Sequence, residues 1–307
     1  MAIQFKKADR SSKYLRLMLT GPTGAGKTIG ALMLAAGLVR HMENKRVAVF
    51  DTEFGRASLK VGNPLIEGLE FDTFEWDVKT QGRRVSYKDF IDVIAAAEEA
   101  GYSVLIIDSC TPEWEDINER HAAMTGNSFQ NWGKVKAQFH NKFIESFIHS
   151  HIHIIMTARS KMDYLINEDN GKRTVQKVGL APQQDSNLPY FCDFLFEIVD
   201  RNHAVVAEKD ETGMWEQAIG LKITPQMGEN IYHWLTKQGT DISKVSFVVR
   251  ILEYQDRLIA AGKLSGDNAM TELQLFAMAS EELISYGKKL RPQIDELNAA
   301  EAEVIPS

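Results

Sequence analysis

The chain has 307 residues, of which 44% are hydrophobic, 25% charged and 9% aromatic; this excludes a disordered polymer or a disulfide-stapled miniprotein and leaves room for one large domain or two ordinary ones. Its 35 Lys and Arg against 42 Asp and Glu give a net charge of −7, so nothing in the molecule as a whole advertises a polyanion partner, and any nucleic-acid contact must come from local patches. Cys110 and Cys192, the only cysteines, make neither a CxxC clip nor a disulfide framework and fit a reducing, cytoplasmic setting.

In chain order, the first stretch interleaves charges with apolar residues, and the longest apolar run, residues 29–39, is far short of the roughly 18 that a membrane span needs. No secretion or membrane association is expected. Lys6, Lys7, Arg10, Lys13 and Arg16 against Asp9 read as a basic arm or a flexible start. Short apolar runs at 14–20, 46–50, 104–107 and 152–156 predict strands, and helical spacing at 28–41, 87–100 and 132–149 predicts the crossovers between them. The alternation defines an α/β fold with a mainly parallel twisted sheet.

After Pro189 the rhythm shortens, predicting strands at 194–199, 204–208 and 214–219, with Asp210-Glu211-Thr212-Gly213 as turn chemistry for a β-hairpin extension. From Ser243 the spacing is helical. Residues 1–240 are thus expected to form the main domain and 241–307 a helical appendage, its acidic tail frayed beyond Leu290.

Gly21-Pro22-Thr23-Gly24-Ala25-Gly26-Lys27-Thr28 matches GxxxxGK[ST] between a predicted strand and a predicted helix. Glycines let such a loop curl so that successive N–H groups face a phosphate, and the helix that follows adds its positive end. Lys27 is placed to bridge the β- and γ-phosphates of ATP, and Thr28 to offer a hydroxyl to Mg²⁺. The run VLIID puts Asp108 at a strand's carboxyl edge, where it would be the second Mg²⁺ partner. Ser109 and Cys110 follow it, so no glutamate sits there to activate water. The strand RVAVF runs into Asp51-Thr52-Glu53, and Glu53 is the candidate general base; either acid would otherwise cap the segment that follows.

GPTGAGKT, a strand ending FDTE and then VLIIDS together resemble the RecA-type recombinase core. With IIMTARSKMDY, the chain is most similar to phage-encoded, AAA-type RecA-core ATPases implicated in single-strand annealing and recombination. The resemblance covers roughly residues 14–215. It implies catalytic roles for Lys27, Glu53 and Asp108, and for Thr157 a γ-phosphate sensor position, where the usual Asn or Gln is replaced and Arg159 beside it is the alternative sensor. It also places single-stranded DNA on the polar stretch 159–190, read as a long loop, with Lys161, Lys172, Arg173 and Lys177 for phosphates and Tyr164 for base stacking. Lys209, read at the tip of the 204–215 hairpin, would reach the γ-phosphate of a neighbouring subunit.

Two smaller features carry less. The run Lys79–Arg84 is basic but reads as a solvated surface, and His149, His151 and His153 alternate at strand spacing without an acid or cysteine to complete a metal set. The expected protein is an ATP-binding and hydrolysing DNA recombination or annealing protein, self-assembled as ring or filament on single-stranded DNA. A single-strand-binding protein is a further expected partner, and the setting is the host cytoplasm if the gene is a phage's. A helicase-type or loader ATPase is the alternative. A small-molecule kinase fits less well, given the carboxylate on the strand after the P-loop helix together with the 81 residues (108 − 27) from Lys27 to Asp108.

Overall fold

The computed structural model describes residues 5, 7–9, 13–169, 172–199, 203–215, 221–236, 242–271, 274–275, 278 and 280–303; within these, the side chains of 161–169, 172–182, 242–246, 249–250, 253, 280 and 298–303 lie outside the description. The chain divides into two compact units, Met1–Glu211 with Ala218–His233, and Thr212–Gln217 with Trp234–Ser307.

The first unit is built on a twisted sheet. Its strands are β1 (Arg16–Gly21), β2 (Val47–Asp51), β3 (Phe71–Glu75), β4 (Val104–Asp108), β5 (His153–Asp169), β6 (Lys172–Pro182), β7 (Phe194–Ile198) and β8 (Val205–Asp210). They are ordered β3-β2-β4-β5-β1-β7-β8, with β6 paired to β5 off that path. All pairs are parallel except β5–β6 and β7–β8. β1 and β4 are buried at every position, the mark of central parallel strands covered on both faces. β3 escaped the sequence reading because Phe71–Glu75 is an edge strand with exposed positions and so lacks a continuous apolar run.

Helices α1 (Lys27–Val39), α2 (Val78–Gln81), α3 (Tyr87–Glu99), α4 (Thr111–Ala122), α5 (Ser128–Val135), α6 (Asn141–His149) and α7 (Pro225–Thr236) belong to or enter this unit. On one sheet face Met18, Phe50, Leu105, Ile107, Ile154 and Met156 pack with Phe90 and Ile94 of α3 and Phe143 and Phe147 of α6. Each buried phenylalanine stabilises by roughly 2–3 kcal/mol in transfer free energy. The helix expected over 132–149 begins at Ser128 and is broken by a π turn, Lys136–His140. Val135 and His140 are both buried five residues apart, a spacing that an α-helix cannot keep on one face but one π turn can.

The stretch expected as a long loop is instead a β-hairpin. β5 pairs with β1 from Ile154 to Arg159, then continues ten residues beyond, where Ser160–Asp169 pair antiparallel with Pro182–Lys172. At about 3.4 Å per residue the ribbon extends roughly 30 Å past the sheet. Asp169 pairs with Lys172; the intervening Asn170-Gly171, a dipeptide whose sequence favours a two-residue hairpin, lies outside the described residues. Lys161 and Tyr164 fall on β5, and Lys172, Arg173 and Lys177 on β6.

The second correction concerns Lys209. It lies inside β8, opposite Leu195 of β7, not at a hairpin tip. Its Nζ donates to the Tyr190 carbonyl at 3.3 Å and stands 3.2 Å from Glu211. The expected strand at 214–219 is absent at Met214 and Trp215, and its remainder lies outside the described residues. The antiparallel partner of β8 is β7.

Arg16 is not part of a free basic arm. It is buried, and its guanidinium donates to the carbonyls of Leu15, Ile152 and Ser150 at 2.9, 2.8 and 2.5 Å, holding the ends of β1 and α6 together; Lys6 and Arg10 lie outside the described residues. The three alternating histidines also separate: His149 ends α6, and His153 begins β5. His153 is partly buried, and its Nδ1 accepts the Leu15 N–H at 2.9 Å. Burial, reinforced by the nearby Arg16 charge, pushes its pKa down to about 4.

A pH dependence follows. An unfolded imidazole takes its proton near pH 6.5, the folded one only near 4. Between these values the unfolded state binds more protons, so stability falls as pH drops through that window, by about 2–3 kcal/mol from this group. Urea melts at pH 7 and 4.5 are expected to show a smaller loss for His153→Gln than for the parent chain. An equal loss in both would place the effect on other groups.

The second unit has its own core. Val248, Ile251 and Leu258 of α8 (Ile242–Ala260) pack with Leu283, Leu290 and Ile294 of α9 (Ser280–Glu303) and with Leu275. The tail expected to fray beyond Leu290 is helical to Glu303, because Leu290, Ile294 and Leu297 repeat at helical spacing and pack into that core. No helix among the described residues is long and apolar enough to cross a membrane.

Candidate functional site

The phosphate loop joins β1 to α1. Gly24 and Gly26 have φ of +82° and +97°, a left-handed backbone that glycine adopts without a Cβ penalty. Gly26 also leaves room for a neighbour: a Cβ there would stand 2.8 Å from His203 Nδ1. That nitrogen donates to the Ala25 carbonyl at 2.6 Å, bracing the loop from outside; nothing in the sequence pointed to His203. Lys27 opens α1, and its Nζ donates to the Gly21 and Pro22 carbonyls at 2.9 and 3.0 Å, lying across the loop mouth. Burial lowers its pKa, opposed by the charges of Asp108 and Glu53.

Strand order brings the remaining groups together. β5 lies between β1 and β4, and in the β4–β5 register Asp108 is opposite Thr157. The buried Asp108 accepts from Thr157 Oγ1 at 2.5 Å on one oxygen and from Thr28 Oγ1 at 2.6 Å on the other. Burial raises its pKa, and the two hydroxyls act against that rise. A hydroxyl and a carboxylate in contact beside a lysine form an all-oxygen donor pair that fits a hard cation carried with phosphates. Thr28 and Asp108 are therefore the residues that would hold Mg²⁺, an ion that supplies charge neutralisation at bridging phosphate oxygens.

Asp51 and Glu53 divide the two readings that the sequence left open. Asp51 is the cap: its carboxylate accepts the N–H groups of Glu53 and Ala57 at 2.7 and 2.8 Å. Glu53 instead faces the site, accepting Ser109 Oγ at 3.0 Å and Arg159 Nε at 2.7 Å on the same oxygen. Burial alone would raise the Glu53 pKa, but Arg159, with help from Ser109, holds it below the ordinary carboxylate value. Arg159 also stands 3.6 Å from Glu115. Glu113, the other acid of that segment, is buried against His140 Nδ1 at 2.9 Å.

Of the residues singled out from sequence, the loop from Gly21 to Thr28, Glu53, Asp108 and Thr157 therefore converge where the carboxyl ends of β1, β2 and β4 meet the first part of β5. Lys209 takes part in a separate set of contacts with Tyr190 and Glu211. For Lys161, Tyr164, Lys172, Arg173 and Lys177 only the strand positions are described. Sequence reasoning missed the pairing of Glu53 with Ser109 and Arg159, which is set by the juxtaposition of three strand ends and has no local pattern.

A Gly-rich loop opening a helix, a parallel sheet with one strand between the loop strand and the Asp108 strand, and acids at the carboxyl edge make this unit a RecA-like P-loop nucleotide-binding domain. The chain belongs to the AAA domain family AAA_24, whose profile matches residues 13–225. Among solved structures, the KaiC-like protein PH0186 from the hyperthermophilic archaeon Pyrococcus horikoshii OT3 matches with 15% identity and a TM-score of 0.32, over 63% of this chain and 78% of that one. No curated protein sequence matches the chain.

Proposed function

We propose that this AAA-family P-loop protein hydrolyses ATP to ADP and phosphate under the control of single-stranded DNA bound along the β5–β6 hairpin, as part of a phage recombination or annealing system. The loop N–H groups and Lys27 bind the phosphates, Thr28 and Asp108 hold Mg²⁺, and Glu53 accepts a proton from the attacking water. Thr157, hydrogen-bonded to Asp108, would orient that carboxylate and serve as the γ-phosphate sensor.

One observation carries the reading: a single strand, β5, presents Thr157 and Arg159 to the phosphate site and then runs without interruption into the hairpin. Load on the hairpin would therefore act on Arg159, and through it on the charge and position of Glu53. Self-assembly is supported by Phe54 and Leu59, about four-fifths exposed, close behind Glu53 in the chain; apolar residues left in water beside a nucleotide site suit burial by a second copy.

The test is steady-state ATPase activity alone, with single-stranded DNA and with duplex DNA. Stimulation by single strands is the expected result; turnover indifferent to both would remove the DNA-coupled reading while leaving a P-loop ATPase. For the hairpin itself, Lys172→Ala with Arg173→Ala is expected to weaken single-strand binding and to lower the slope of log K against log salt by about 1.4, from about 0.7 per lost phosphate contact. An unchanged slope in fluorescence-anisotropy titrations would move the DNA site away from the hairpin.

A further inference from the structure

Far along α1 from the phosphate loop lies a second cluster of chemistry-bearing side chains. His41 follows the C-terminal end of α1, while Glu229 and His233 stand four residues apart on α7, a spacing that sends both side chains from one helix face. The two helices meet backbone to backbone. A Cβ at Gly37 would fall 1.6 Å from the Pro225 carbonyl oxygen, and one at Gly228 2.0 Å from that of Leu34, so only glycine permits the crossing on either side. That contact brings His41, one turn beyond Gly37, opposite Glu229, the neighbour of Gly228.

The resulting geometry is that of a ligand set. One ligand atom from each of His41, Glu229 and His233 can be chosen so that all lie within 4.8 Å of one another. His41 Nε2 is already in contact with Glu229 Oε1, and the His41 and His233 rings have centroids 5.0 Å apart. Arg40 occupies the other carboxylate oxygen, Oε2, at 3.0 Å, which leaves Oε1 as a single anionic donor turned toward the imidazoles. Glu229 and His233 are buried, whereas His41 is exposed, so the cluster has a rigid inner side and an outer side open to solvent.

We propose that His41, Glu229 and His233 bind one zinc-class divalent cation, independently of the nucleotide site. Two imidazoles with one carboxylate suit borderline first-row ions such as Zn²⁺ or Co²⁺, whereas Mg²⁺ and Ca²⁺ select all-oxygen sets. Three protein ligands with an open outer side leave a further coordination position to water. Bound there, the ion clamps the C-terminal end of α1 to α7, and α1 is the helix whose N-terminal end completes the phosphate loop. The competing account is a metal-free ion-pair cluster of Arg40, His41 and Glu229 holding the same helices.

The untagged full-length chain, stripped with chelator and kept in excess Mg²⁺, separates the two. Equilibrium dialysis with metal analysis is expected to give one Zn²⁺ per chain, Zn²⁺ is expected to raise the melting temperature, and Co²⁺ to give the visible absorption of a low-coordinate site. His41→Ala, at an exposed position, is expected to weaken Zn²⁺ binding at least about tenfold and to abolish the thermal shift. His233→Ala should do the same; should it fail to fold, His41→Ala decides alone. Absence of Zn²⁺ binding would overturn the proposal, as would binding and thermal shift unchanged in His41→Ala, which would place the metal on other histidines such as His149 and His151.

Discussion

Lys27→Ala protein is expected to lose ATP turnover by about 10²–10³-fold while melting close to the parent chain. The lysine's present partners are the Gly21 and Pro22 carbonyls, main-chain acceptors of the loop itself. What water cannot replace is a fixed positive charge at the phosphates, where charge-assisted hydrogen bonds are strongest and a single preorganised donor contributes about 10²–10³-fold to rate. The backbone that shapes the loop, with Gly24 and Gly26 in left-handed conformation, does not depend on the lysine. Steady-state hydrolysis beside a thermal melt checks both halves. Turnover at the parent rate would contradict the phosphate-site assignment; a collapse of the melting temperature would show that the lysine holds the fold.

The second large effect belongs to Glu53. Glu53→Gln keeps an oxygen able to accept from Ser109 and Arg159 but removes the base, so nucleotide binding should survive while hydrolysis slows by about 10²-fold or more. The pH profile gives an independent reading. Arg159 holds the Glu53 pKa below the ordinary carboxylate value, so the basic form persists through neutral pH and activity falls only when pH drops through that lowered pKa. Arg159→Ala removes the lowering influence; the carboxyl then protonates at higher pH, and the acidic limb of the profile should move up. A Glu53→Gln enzyme hydrolysing normally would transfer the base to another acid, with Glu115, 3.6 Å from Arg159, the first to try. An acidic limb that stays in place in Arg159→Ala would show that Glu53 is not the titrating group.

Both predictions rest on residues of unequal legibility. Lys27, Thr28 and the glycines before them were legible because the chemistry is local: eight consecutive residues specify a turn, a φ sign and a helix start, whatever surrounds them. Asp108 was legible for a related reason, since VLIID is buried at every position and its one charge must fall at the strand's end. β5 was legible only in its first half. Its inner residues are an apolar run, but from Ser160 onward the composition is polar and reads as a loop, although Asn-Gly at 170–171 is a hairpin signal in the sequence. For Lys209 the turn residues at 210–213 suggest a following strand and a tip position, whereas β8 pairs with the strand before it, β7, which sets Lys209 opposite Leu195.

By itself, then, the sequence determined those features whose physical cause lies within one segment: the phosphate loop, the α/β alternation, the central buried strands and the helical spacing of the second unit. Only the tertiary structure decided which distant side chains meet. Inserting β5 between β1 and β4 sets Thr157 beside Asp108 and brings Arg159 across to Glu53, and the glycine crossing of α1 and α7 sets His41 against Glu229 and His233. Local patterns encode backbone conformation and the buried face of each element. The order in which elements pack is a property of the whole core, and the convergence of charges separated by a hundred residues or more follows from that order alone.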